Sequence, residues 1–326
     1  YLGPHMASIV LKRVAQGLLI VWLTTTFTFF LIHAAPGEPF SGYLDDPRAT
    51  AEMREALRTR YGLDRPVAQQ YFVFLQSISS GDLGESFTHR RPVVSVLADA
   101  VPRTLLLMGT AMIVGFAAGI ALGTLQGARE GSWFDRITGT VAVLVAALPD
   151  FWLALLALML FAGTWIPISG FSTPTLSPSA PLVTRVIDVL RHLILPAGTL
   201  ALLISATVSR YQRASLIDVL PNTWMRTARA KGVVERQVIF RHGLRNALLP
   251  TITLAGLAVP ALLGGAVFVE STFAWQGMGL LAVQAVSDRD YPLVLAIVLL
   301  STTFVVIGAA IADLAQVAAD PRQRRA

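Results

Sequence analysis

Residues 210–246 read RYQRASLIDVLPNTWMRTARAKGVVERQVIFRHGLRN. Eight arginines and lysines (Arg210, Arg213, Arg226, Arg229, Lys231, Arg236, Arg241, Arg245) stand here against two acids, Asp218 and Glu235. The stretch alone therefore carries a net +6, equal to the charge of the whole 326-residue protein. Apolar segments long enough to cross a bilayer flank it on both sides. A basic loop between two spans stays in the cytoplasm. It is too long for a tight turn, so it is expected to fold and to dock onto a partner.

Working outward, 54% of the residues are apolar and 14% charged, against about a quarter charged in soluble domains. The apolar residues are clustered, and a hydrocarbon core of about 30 Å takes roughly 20 of them per helix. Six spans are expected, over about 14–34, 103–126, 137–160, 192–209, 247–269 and 292–312. Lys12 and Arg13 beside the first favour a cytoplasmic N-terminus, and six spans return the C-terminus to the same side. The inner segments then hold 15 of the 26 Lys/Arg, and the short outer loops (about 161–191 and 270–291) only Arg185, Arg191 and Arg289. Gly3-Pro4-His5-Met6 reads as a protease and cloning remnant within residues 1–6, with the native start expected at Met6. The first span occupies 7–35, an extracytoplasmic segment 36–100, the core 101–314 and a cytoplasmic tail 315–326.

The outer segment is expected to be a small helical cap. Asp46-Pro47 suits a helix start, and Met53, Leu57 and Tyr61 share one face. A second helix begins near Pro66 and carries Tyr71, Phe72 and Leu75; Gly81-Asp82-Leu83-Gly84 signals a turn. The halves show no repeat.

The positive charge lies in the loops of a membrane protein, where topology accounts for it, so nucleic acid is not expected as a partner. There is no cysteine. No phosphate-cradling loop, zinc-protease or hydrolase motif occurs, and His5, His33, His89, His192 and His242 lack ligand spacing, so no metal site is expected. A conduit driven from outside fits better than an enzyme.

Within the loop, residues 224–231 favour helix, and Gly232 can take positive φ and end it. Residues 233–244 can form a second helix, with Val234, Val238 and Arg241-His242 on one side. Two short helices joined at a glycine make a knob suited to a partner's groove.

RTARAKG at 226–232 followed by RHGLRNALLP at 241–250 resembles the "EAA" loop of ABC-importer inner-membrane permeases of the dipeptide/oligopeptide/nickel family. Further matches follow in order: APGEP at 35–39, YGLDRP at 61–66, GDLGES at 81–86, LPDFWL at 148–153, ESTFAWQGMG at 270–279, RDYP at 289–292 and DPR at 320–322. The long segment after the first span resembles the first, B-type permease of such importers. The resemblance implies an all-α polytopic membrane protein with six transmembrane helices in the type I importer architecture, and a small helical periplasmic segment between helices 1 and 2. It implies a bacterial or archaeal cytoplasmic membrane, a second homologous permease, ABC ATPase subunits that bind the ATP and Mg, and an extracytoplasmic substrate-binding protein, with membrane lipid around the spans. The chain itself is expected to bind no cofactor. Four positions depart from the pattern: Arg226 replaces the glutamate six residues before the glycine, Arg245 the proline that ends the general I-x-L-P pattern at 242–245, Val234 a serine that would cap the second helix, and Gln276 a proline, which is expected to loosen the outer loop.

By resemblance, the ATPase-coupling loop comprises Arg226, Thr227, Ala228, Arg229, Ala230, Lys231, Gly232, Glu235, Arg241, His242, Arg245 and Asn246. Most of its cations also serve topology. Asp150 lies about 14 residues into the third span, roughly 21 Å along it. A carboxylate at that depth faces water or a partner, so Pro149 and Asp150 are candidates for lining the path, with a hydrogen bond to a neighbouring helix as the simpler role. Glu270, Phe273 and Trp275 are candidates for an outer gate or a binding-protein contact, with interfacial anchoring as the simpler role. The expected function is half of an ATP-driven translocation path for di- or oligopeptides. Nickel complexes or oligosaccharides are alternative substrates. An ion-coupled secondary transporter would need several midplane ion ligands and inverted repeats; the sequence offers one mid-membrane acid, Asp150, and no repeat.

Overall fold

A computed structural model of the chain describes residues 4–35, 59, 62, 64–177, 179–258 and 266–319. The helix expected around Met53, Leu57 and Tyr61, most of the 35–39 motif, Pro260 and the 320–322 motif lie outside the described residues.

Among the described residues the chain is all-helical; its β-structure is one isolated bridge, Glu85 to Pro92. In chain order the helices are α1 (Pro4–Ala34), α2 (Val67–Ser79), α3 (Val93–Ala128), α4 (Trp133–Ala147), α5 (Asp150–Phe161), α6 (Leu182–Val219), α7 (Thr223–Ala230) and α8 (Glu235–Gln237). A π-helical turn (Val238–Gly243) leads from α8 into α9 (Leu244–Ala258), and α10 (Val267–Thr272), α11 (Met278–Ser287) and α12 (Tyr291–Ala319) follow.

Among the described residues four helices, α1, α3, α6 and α12, are each long and apolar enough to cross a membrane, and α4 with α5 would make a fifth. The last pair breaks the span expected over 137–160 at Pro149, a residue able to kink a helix: the chain bends by 108° between α4 and α5. Leu148 is extended (φ −81°, ψ 139°), as the residue before a proline tends to be, and Pro149 then starts the new helix. The fourth span also differs. Instead of a short helix over 192–209, α6 runs for 38 residues, about 57 Å at 1.5 Å per residue. It takes in Arg185 and Arg191 at one end and Arg210 and Arg213 at the other. α3 likewise starts at Val93, about ten residues before the expected span. α2 starts where the sequence placed it, with Pro66 as N-cap, and Gly81 and Gly84 adopt φ of +79° and +78° in the turn that follows.

The described residues fall into two compact units, one comprising those up to Thr104 with those of Gln276–Ala310, the other those of Leu105–Leu262 and Phe268–Trp275. In the first, Val93, Val96, Leu97 and Ala100 of α3 pack with Met278 and Leu281 of α11 and with Leu293 and Ile297 of α12. Phe29 of α1 stacks on Phe74 of α2, and Tyr71 donates or accepts a 2.7 Å hydrogen bond with Thr26.

In the second unit, α3 lies against α6 along Gly115, Gly119, Gly123 and Gly127, one every four residues. A methyl group on Gly115 would sit 2.7 Å from Ile204 Cβ, and one on Gly119 2.6 Å from Val208 Cβ; on Gly123 it would meet the Ser209 carbonyl. Only glycine permits that approach. Small residues at this spacing are how helices pack closely in lipid, where there is no hydrophobic drive between them.

Candidate coupling site

The basic loop is a folded knob whose base is buried and whose cations are exposed. α7 ends in a Schellman motif: Gly232 takes φ +77°, its N–H donates to Arg229 O (2.9 Å), and the Val233 N–H donates to Ala228 O (3.2 Å). The expected role of Gly232 as the helix terminator is what the backbone shows.

Across the turn, Arg229 clamps Glu235. Its Nε donates to Oε2 at 3.0 Å and its Nη2 to Oε1 at 2.8 Å, while Nη1 reaches the Leu220 carbonyl at 3.2 Å. The clamp ties both helices of the knob to the end of α6. This hydrogen bonding, with the guanidinium charge adding to it and partial burial opposing it, holds the Glu235 carboxyl below its ordinary range.

Val234 caps α8 with no side-chain bond; the helix starts at Glu235 without the serine found in many relatives of the family pattern. The second helix is not short or separate, however. It passes through the π turn into α9. That turn also undoes the expected shared face: Val234 is 66% exposed, Val238 is fully buried, and Arg241 and His242 point outward. The i→i+5 bonding of a π turn widens the helix locally and breaks the i, i+4 correspondence.

Under the knob, Met225, Leu216 and Val238 are fully buried, and Ile239 and Ala247 join them. Gly243 leaves room for Met225 and Leu216, whose ends would lie 3.2 and 3.3 Å from a methyl group there. Arg226, Lys231, Arg236, Arg241 and Arg245 are exposed and form no ion pair among the described residues. Thr227 donates to the Thr223 carbonyl at 2.9 Å and Asn246 to the His242 carbonyl at 3.0 Å; both stabilise the backbone. Ala228 is half-buried and Ala230 exposed.

A second anchor was not foreseen. The Asp135 carboxylate, 3% exposed, accepts Nε and Nη2 of Arg213 at 2.6 and 2.9 Å and the Gly131 N–H at 2.9 Å. Ser132 caps α4 by accepting the Asp135 N–H at 3.2 Å. The pattern S-x-x-D at 132–135 carries the cap signal in the sequence; the partner on α6, 78 residues away, does not. Deeper between α6 and α9, Thr251 donates to Gln212 at 2.8 Å, both buried.

Asp150 begins α5 and is half-buried; its Oδ1 accepts the Phe151 N–H at 2.8 Å, and no cation pairs with it among the described residues. Glu270, Phe273 and Trp275 are all buried, at 0%, 1% and 0% exposure. The Trp275 N–H donates to Glu270 O at 2.8 Å, the Gly170 N–H to Phe273 O at 2.8 Å, and Phe171 meets Trp275 edge-on. The side-chain oxygen of Gln276 accepts Arg103 at 2.8 Å, a bond that proline could not make.

Residues 115–325 match the model of the binding-protein-dependent transport system inner membrane component, and residues 6–108 match that of the N-terminal part of the same membrane components. The chain belongs to this family of ABC-importer permeases. The oligopeptide transport system permease protein AppB of Bacillus subtilis is 37% identical over 97% of this chain and 99% of its own. A putative peptide permease protein of Brucella suis is 38% identical over 96% and 97%. The glutathione transport system permease protein GsiC of Escherichia coli K12 is 36% identical over 93% and 94%. As a member of this family, the chain is a transport permease subunit of the membrane.

Proposed function

We propose that this permease supplies half of a translocation path for di- or oligopeptides, driven by ATPase subunits that seat its basic knob. The peptide assignment is supported by relatives, alike over nearly their full length, that are named for oligopeptide, peptide and glutathione transport. In this reading the chain has six spans, both termini in the cytoplasm and α2 in a periplasmic cap. It pairs with a second, homologous permease, two ATPases bind the ATP and Mg, and an extracytoplasmic binding protein delivers substrate in a bacterial or archaeal inner membrane. Closure of the ATPases moves the knobs, and the helices above them switch the path between its two faces. Pro149 and Asp150, at the break between α4 and α5, face the path. Glu270, Phe273 and Trp275 form an outer gate; their burial favours this over a surface contact with the binding protein.

The single observation that supports the coupling role is that α7 and α8 are clamped to each other and to the end of α6 while Arg226, Lys231, Arg236, Arg241 and Arg245, spread over α7, α8, the π turn and α9, are exposed and form no ion pair among the described residues. The test is copurification followed by transport. An ATPase subunit and a second permease should accompany the chain, and Arg226→Glu with Arg241→Glu should release the ATPase while leaving the permease pair intact. Retention of the ATPase by that variant, or nucleotide-independent accumulation of peptide in vesicles, would overturn the proposal.

A further inference from the structure

We propose that the groove between α4 and α6 seats the phosphate of an anionic membrane phospholipid. The groove encloses about 790 Å³ and is lined by Arg136, Thr140 and Val143 from α4 and by Thr207, Arg210 and Tyr211 from α6. Arg213 and Asp135 lie at its floor, but they consume each other, since both carboxylate oxygens are taken by the Arg213 guanidinium and the Gly131 N–H. The charge left over is that of Arg136 and Arg210. Both are exposed and neither forms an ion pair among the described residues. The Tyr211 hydroxyl, on a ring 54% exposed, stands beside them as a further donor.

The depth of the two arginines selects the ligand. Arg136 is the last charge on α4 before a charge-free run from 137 to 149, and Arg210 is the first on α6 after a charge-free run from 193 to 209. The Asp135–Arg213 pair holds these two boundaries level. A plane where guanidiniums meet the end of the apolar run on two neighbouring helices is the plane of lipid phosphates. Away from the arginines the groove wall turns apolar, at Val143, and Ile137, Val141 and Leu144 on the same helix are 41–60% exposed. A cationic pocket continuing into an apolar track suits a phosphodiester with acyl chains better than a free anion. Basic pockets between transmembrane helices bind anionic headgroups in this way. The inference needs only that the helices span a membrane, so it survives failure of the ATPase-docking proposal.

The test uses the full chain, with whatever subunits copurify, in micelles containing equal phosphatidylglycerol and phosphatidylcholine, and counts retained lipids by native mass spectrometry. Phosphatidylglycerol should be retained over phosphatidylcholine roughly tenfold or more, the scale expected for two arginines at an anionic surface. R136Q/R210Q should bring the ratio back to that of the micelle, while R136K/R210K keeps most of it, and the lysine variant shows that loss is not misfolding. Equal retention of the two lipids, or an unchanged preference in R136Q/R210Q, overturns the proposal. So does displacement of the lipid by inorganic phosphate, which would mark a free-anion site, or by excess dipeptide, which would mark the groove as part of the substrate path.

Discussion

Ser86 donates a 2.5 Å hydrogen bond to Asp290, 204 residues further along the chain. The Asp290 carboxylate is fully buried and also accepts the Thr88 N–H at 3.0 Å and the Leu293 N–H at 3.3 Å. It thus fastens the turn before α3 to the first turn of α12. Asp290→Ala leaves a hydroxyl and two backbone N–H groups unpaired in a buried place. A loss of about 1–3 kcal/mol per stranded group is the scale of that penalty, so a large drop in melting temperature is expected in purified permease. Asp290→Asn, which keeps one acceptor, should lose less.

Arg213→Leu should be as damaging for a different reason. It leaves the Asp135 carboxylate buried without its cation, a change that costs about 3–5 kcal/mol when an ion pair is buried. The double change Arg213→Leu with Asp135→Leu should recover much of the stability, read by thermal unfolding in detergent.

Gly119→Leu drives a side chain into Val208, where even a methyl group would lie at 2.6 Å. Overpacking on this scale costs about 1–3 kcal/mol. Gly139→Ala, inside α4 where the added methyl meets nothing within 4 Å, should not lower the melting temperature and, by the helix preference of alanine over glycine, should raise it slightly; it serves as the control.

The Arg229–Glu235 clamp has a pH signature. Glu235 titrates below its ordinary value of 4.5 because Arg229 hydrogen-bonds its charged form. Folding of the knob therefore binds fewer protons than the unfolded loop does. The clamp's contribution is fully present above about pH 4.5 and disappears as the pH falls through the lower, folded value. Both side chains are over a third exposed, so the effect is small, under about 1 kcal/mol. Amide exchange at Gly232 and Val233 should be faster in Glu235→Gln than in the unaltered chain at neutral pH, and the difference should vanish in acid.

Asp150→Asn tests the path. It removes a carboxylate that has no cationic partner among the described residues while preserving the start of α5. Uptake of peptides with a free amino terminus should fall relative to peptides with a blocked one; an unchanged ratio assigns Asp150 to helix packing.

Much of this molecule is legible in its sequence because the signals are local. Pro66 places the start of α2, and Gly232 places the end of α7, since φ of +77° there excludes most other residues. Pro149 signals a kink, but the size of the bend at Leu148 is harder to read, because apolar residues continue on both sides and periodicity registers no break. Hydropathy also hides the length of α6, since the charged turns at its ends look like loops. The π turn leaves no compositional trace, and it rotates Arg241 and His242 away from Val238. The partners of Asp135 and Asp290 are 78 and more than 200 residues distant, beyond any pattern of spacing. The glycines at 115, 119, 123 and 127 are visible as a four-residue repeat, but only the facing side chains of α6 show what they admit.

The unbroken length of α6 has a mechanical consequence. A rigid rod of about 57 Å behaves as a lever: for each 5° that its foot tilts, its far end sweeps about 5 Å. Its foot is stapled to the knob by Arg229 and to α4 by Arg213, and the helix runs on through its interior proline, Pro196. A small push at that foot would thus become, without any local unfolding, a displacement at the far end as wide as an amino-acid side chain.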